Sequence, residues 1–229
     1  MTIGIMQPYF MPYIGYWQLL AAVDCYVVYD DVNYIKGGWV SRNNILLNGE
    51  KHTFTITLRG ASPNKLFNEI TILDDFRKFF RTIENAYKKA PFYQSVLPLL
   101  QDIANYPDRT LGAFMLHGFQ VVLDYLGIHT ELLLSSSLQK DNTLRGKDKV
   151  MQICHLLGAD TYYNAIGGQA LYDKDEFHQN GLNLYFLQTA DIVYPQFHNT
   201  FVPNLSFIDV LMFNSPEQVR QLLTQYTLI

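Results

Sequence analysis

The sequence predicts an α/β fold: a mostly parallel open sheet, nucleotide-binding-like in three layers, carrying a β-hairpin and a helical insertion. Three observations predict it. Short apolar runs at residues 3–6, 26–29, 131–134 and 182–187 alternate with helical patterns, as parallel strands covered on both faces require. Asn48-Gly49 stands between two apolar runs, the strongest short hairpin signal. From about 74 to 126 the apolar period is helical throughout. At 229 residues and 48% hydrophobic, the chain can bury its own core, and no linker or repeat divides it, so one domain over 1–229 is expected.

Each element has a local reason. Residues 3–6 stop at Gln7-Pro8, and Pro12 suits a first helical position before the apolar-periodic run from Ile14 to near Asp24. The run 26–29 ends on Asp30-Asp31, so strand, helix and strand form a βαβ unit with polar groups at both strand ends. The stretch 33–44, NYIKGGWVSRNN, reads as a polar loop turning at Gly37-Gly38. Residues 45–47 and 51–58 flank the hairpin turn, and 70–73 suits a short strand. Three helices follow: one with Phe76, Phe79, Ile83 and Tyr87, one with Val96, Leu100 and Ile103, and one from Leu111 to a stop at Gly127. After strand 131–134 come Ser135-Ser136-Ser137, a polar loop 141–149, helix 147–157, strand 161–163, strand 182–187, a polar-aromatic loop 194–207, and helices 208–213 and 216–226.

Composition excludes some classes. A net charge of −4 without a basic stripe argues against a nucleic-acid partner, while a small anionic ligand needs only a few Lys or Arg. Cys25 and Cys154 lie in apolar contexts and read as core thiols. No basic leader and no apolar run of about 20 residues is present, so a cytoplasmic protein without a membrane span is expected.

The chemistry-bearing residues gather at strand ends, where open α/β sheets bind ligands. Asp30 and Asp31 suit a general base or a Mg²⁺ site, or simply a loop cap; alternation lets at most one face a pocket. Lys36, Arg42, Arg145 and Lys147 suit a phosphate or carboxylate, with Asn43 flanking Arg42; the plainer reading is a solvated face. Gln7, Asn164, Gln196, Ser206 and Asp209 offer hydrogen bonds for a sugar or polyol, with Tyr9, Tyr16, Trp39 and Tyr194 as stacking walls. Ser206 and Asp209 also match a helix capping box. The six histidines show no zinc spacing, and His198, in a polar-aromatic loop, is the candidate acid–base imidazole. No nucleophile elbow is present.

One family joins these residues. Ile5-Met6-Gln7-Pro8-Tyr9-Phe10, Pro12-Tyr13-Ile14-Gly15-Tyr16, Tyr29-Asp30-Asp31-Val32 and Tyr34-Ile35-Lys36 with Trp39 and Arg42-Asn43 resemble the WbqC-like protein family. So do Gly158-Ala159-Asp160, Asn164 with Gly167-Gly168, Tyr194-Pro195-Gln196 and Leu205-Ser206-Phe207-Ile208-Asp209. The resemblance covers nearly the whole chain and implies a place in bacterial surface-polysaccharide (O-antigen-type) assembly. The expected activity is a transferase on a sugar or nucleotide-sugar, with Gln7 and Tyr16 orienting it, Asp30 or Asp31 as base or metal ligand, and Lys36 and Arg42 on an anionic group. A non-catalytic ligand-binding protein of the same pathway is the alternative from another class. The opening strand, loop and helix are also similar to nucleotidyltransferases with an HxGH signature, which implies ATP and Mg²⁺-dependent adenylyl transfer. Tyr13 and Tyr16 stand where the histidines would be.

Overall fold

Residues 3–6 are apolar on both sides of the backbone because both faces of their strand are covered. The computed structural model describes residues 1–198 and 200–229. Strand β1 (Thr2–Met6) sends Ile3 and Ile5 into one core, while Met6 packs against the other. Helix α1 (Ile14–Ala21) returns the chain to β2 (Cys25–Val28), which pairs in parallel with β1 from Ile3–Cys25 to Met6–Val28. Strand β2 alternates in the same way: Cys25 and Val27 join the core of Ile3 and Ile5, and Tyr26 and Val28 the core that Met6 packs against.

The hairpin is β3 (Arg42–Leu47) and β4 (Glu50–Thr55), antiparallel, turning on Asn48 and Gly49, both at positive φ. Strand β3 starts earlier than the polar stretch suggested, so Arg42, Asn43 and Asn44 are strand residues paired with Thr55, Phe54 and Thr53. Two short strands, β5 (Leu58–Arg59) and β6 (Thr71–Ile72), pair antiparallel. The insertion is three helices, α2 (Arg77–Tyr87), α3 (Tyr93–Asn105) and α4 (Leu111–Leu126), the last stopped by Gly127 at φ 64°.

The chain re-enters the sheet at β7 (Glu131–Leu134), crosses by α5 (Gly146–Leu156) to β8 (Thr161–Ala165), and by α6 (Lys174–Gln179) to β9 (Asn183–Thr189). Helices α7 (Phe207–Phe213) and α8 (Pro216–Leu223) lead to β10 (Tyr226–Leu228). Sequence periodicity carries the last helix to 226. The helix instead ends at Leu223, and Tyr226-Thr227-Leu228 forms an antiparallel edge strand on β9.

The six-stranded sheet has the order β10-β9-β8-β1-β2-β7, parallel except at β10. The chain runs outward from β1 through β2 to β7, then jumps back to β8 on the other side of β1. Helices α1, α4, α7 and α8 cover one face and α5 and α6 the other, completing three layers. Because α5 follows a parallel strand, its N-terminus lies at the carboxyl ends of the sheet, the side where such sheets bind ligands. No helix among the described residues is long and apolar enough to cross a membrane.

Candidate functional site

The carboxyl end of β2 divides the twin acids between two jobs. Asp30, 1% exposed, accepts from the Ser136 backbone N–H at 2.9 Å and from Ser136 Oγ at 2.6 Å. Its carbonyl receives the Asn68 N–H at 2.9 Å. Asp30 therefore braces the end of β2 against the turn after β7 and the helical turn Phe67–Glu69. Helix α4 approaches it so closely that a Cβ on Gly112 would lie 2.8 Å from Asp30 Cβ.

Asp31, past the end of β2, turns to a different set of partners. Its Oδ2 accepts from Lys140 Nζ at 2.7 Å and Lys149 Nζ at 3.0 Å, both lysine side chains being at most 3% exposed. Lys140 also donates to the Ser135 carbonyl and Lys149 to the Asp31 carbonyl. Lys149 Nζ lies 5.1 Å from the Tyr29 ring centroid, a cation–π contact. Each ammonium has three N–H groups, so each retains one beyond these bonds. The two carboxyls are pushed apart. Burial, with lesser opposition from Ser136, raises Asp30 above its ordinary range. Burial also pushes Asp31 up, but hydrogen bonds from Lys140, the Ser135 hydroxyl and Lys149, with the charge of Lys149, hold it below the ordinary range.

Asp31 and Lys149 wall a cavity of about 410 Å³ together with Tyr29, Asn33, Asn68, Ser136, Asn142, Arg145 and Gly146. Arg145 is the N-cap residue of α5 and provides no side-chain cap, so the first-turn N–H groups of that helix lack one. Its Nη1 donates to the Asn142 and Leu144 carbonyls. The cavity thus offers a guanidinium, an ammonium and the positive end of a helix for an anion. Asn33, Asn68, Asn142 and Ser136 add neutral hydrogen-bonding groups suited to hydroxyls. The donor set does not fit the Mg²⁺ reading of the twin acids: two ammonium groups occupy one carboxylate and Ser136 closes the other.

Tyr9, Trp39 and Asn43 belong to a second cavity of about 390 Å³, lined also by Tyr13 and Asn204. Arg42 serves this side rather than the acids: its Nη2 donates to the Gly37 carbonyl and its guanidinium lies 5.3 Å over the Trp39 ring. The expected convergence of Gln7, the acids, Lys36 and Arg42 on one hollow is therefore corrected. Asp31 and Arg145 meet in the first cavity, and the stretch 33–44 folds back over the second because its end is strand β3.

The remaining candidates lie elsewhere. Tyr16, 1% exposed, packs edge-on to Tyr9 and donates to the Gln7 carbonyl at 3.2 Å, so it orients that loop and meets no ligand. Tyr13 folds over Gly15 beside Thr189, so neither tyrosine stands as the phosphate-holding group of the HxGH pattern. Gln7 is half-buried and lines neither cavity. Lys36 is exposed, and Lys147 is paired with Glu176 of α6 at 2.5 Å. Asn164, 6% exposed, caps the Ala165 N–H. Tyr194 and Gln196 are buried and both donate to Asp209 Oδ2, while Tyr87 donates to Oδ1. Asp209 thus braces the interior instead of closing a capping box with Ser206, whose hydroxyl donates to the Met11 carbonyl. His198 is exposed and lines neither cavity.

The sequence reading missed Lys140 and Lys149. Lys149 carried a signal: four residues before Ile153 and next to Val150, it is a lone charge on the apolar face of α5. Lys140 carried none.

The family model of the WbqC-like protein family matches residues 7–221. The chain is also similar to an uncharacterised protein of Mycobacterium tuberculosis H37Rv, Rv1507c, at 25% identity over 218 residues and 93% of each chain. No solved structure matches it.

Proposed function

The chain belongs to the WbqC-like protein family, and from that premise we propose that it is a transferase acting on a phosphorylated sugar or nucleotide-sugar in bacterial surface-polysaccharide assembly. The pathway follows from what the family resemblance implies. The ligand class is supported by one observation: Lys149 and Arg145 stand together in the wall of the first cavity at the uncapped start of α5. A ligand that satisfies this wall brings an anion to the Arg145 side and hydroxyls to Asn33, Asn68 and Asn142.

The geometry supports the following roles. Arg145 and the α5 N–H groups hold the phosphate. Lys149 gives its remaining N–H to the same anion or to a neighbouring hydroxyl. Asp31, kept ionised by its lysines, holds Lys149 in place in the cavity wall. Asn33, Asn68 and Asn142 read the remaining hydroxyls.

A thermal-shift series tests this reading. Glucose 1-phosphate and UDP-glucose should raise the unfolding temperature at millimolar concentration, and free glucose should not do so through this cavity. Arg145→Ala, an exposed change, should weaken phosphate-dependent binding by about tenfold. Failure of every phosphorylated sugar to shift the protein, or an unchanged shift in Arg145→Ala, would refute the assignment. Binding without turnover under any donor would favour the non-catalytic alternative.

A further inference from the structure

We infer that the second cavity is a separate subsite for the ring of a neutral, unphosphorylated sugar, with Trp39 as its platform. Trp39 is 51% exposed, yet it is not free to move: Arg42 covers one face of the indole at 5.3 Å and is itself tied to the Gly37 carbonyl. One aromatic face is pinned and the other is left open. Tyr9 and Tyr13 add apolar walls, and Asn43 and Asn204 are the polar lining, so among the described residues no charged side chain lines this cavity.

The backbone around the cavity is held in a costly shape. Met11, between the two tyrosines, has φ 45°, and Asn204 has φ 59°. Two side chains hold Met11 there, since its carbonyl accepts from Asn43 Nδ2 at 2.7 Å and Ser206 Oγ at 2.7 Å. Strain of this kind persists where the surroundings over-determine it, and it clusters at ligand sites. Here it fixes the spacing of Tyr9, Tyr13 and Asn43 around a cavity of about 390 Å³, ample for a sugar ring.

The lining selects the ligand class. A sugar ring has an apolar C–H face that lies on an aromatic platform and equatorial hydroxyls that match the adjacent donor and acceptor of an amide. A phosphorylated group would find no cation among the lining residues, and a fatty chain would strand the Asn204 amide. A nucleobase gains most from rings on both faces, whereas Arg42 holds one face of Trp39. This site is independent of the Asp31 cavity, whose lining it does not share.

Saturation-transfer NMR and tryptophan emission test the assignment on the intact chain. The probes are free glucose, galactose, mannose and N-acetylglucosamine, with uridine and adenosine as the competing class. The other tryptophan, Trp17, is buried against Phe207, so Trp39 dominates any quench by added solute. The expected result is saturation of ring protons of at least one free sugar and a matching change in emission. Trp39→Ala should weaken binding by about tenfold, with Trp39→Phe retaining most of it. Asn204→Gly, which removes the amide and tolerates the positive φ, should weaken it as well. Arg145→Ala should leave it unchanged, which separates this subsite from the phosphate cavity. No signal with any free sugar, equal binding by Trp39→Ala, or displacement by uridine or adenosine would overturn the inference.

Discussion

Asp31 and Asp30 are neighbours in sequence with opposite electrostatic surroundings, and their titrations should separate accordingly. Carboxyl NMR should find Asp31 titrating below the ordinary carboxylate range and Asp30 above it. The linked stability has opposite signs. Asp31 contributes stability that is present above its unfolded pKa and lost as pH falls through its lowered folded value. Asp30 contributes most below its unfolded pKa and loses that as pH rises through its raised folded value. Asp31→Asn should therefore cost about 3 kcal/mol at neutral pH, because two buried ammonium groups lose their shared carboxylate. Denaturation at successive pH values should show that cost shrinking toward acid; a pH-independent difference would contradict the pairing. Asp209 is a second buried carboxyl, with three donors and no cation. Asp209→Ala should cost about 3–5 kcal/mol by stranding two hydroxyls and an amide, and Tyr194→Phe about 1 kcal/mol, both read from urea midpoints.

At the scale of elements, the site depends on how closely α4 meets the end of β2. Gly112→Ala gives α4 a better helix former, a gain of at most about 1 kcal/mol. The added Cβ would sit 2.8 Å from Asp30 Cβ, and Asp30 cannot retreat while Ser136 holds both its oxygens. Overpacking should win, with a net loss of about 1–2 kcal/mol by chemical denaturation; a stabilised variant would show that Asp30 is not clamped. Strand ends explain what the sequence did and did not reveal. Residues 3–6 and 131–134 were legible because polar punctuation follows each apolar run. Arg42 to Asn44 were not, since three polar residues read as loop while their pairing with Thr53 to Thr55 makes them strand. The final strand was hidden because Tyr226 continues the apolar period of α8.

Across the whole molecule, the parallel sheet was visible in sequence because burial on both faces writes continuous apolar runs. Its charged cavity was only half visible. Asp31, Arg145 and the serine cluster stood out as polar groups after apolar strands, but local sequence does not record that Lys140 and Lys149 return to Asp31 from more than a hundred residues away. The crossover from β7 through α5 to β8 makes that return, and it brings the α5 N-terminus to the carboxyl ends of the strands. Gln7 and Asn164, at the ends of the two strands flanking the reversal of strand order, support the framework instead. Backbone amide shifts measured while glucose 1-phosphate is titrated into the intact chain test the central claim most directly. The account predicts the largest changes at Gly146, Lys147 and Asp148 in α5, together with Ser136, and their loss in Arg145→Ala. Changes centred instead on the start of α1, around Ile14 to Tyr16, with the α5 amides unmoved, would contradict it.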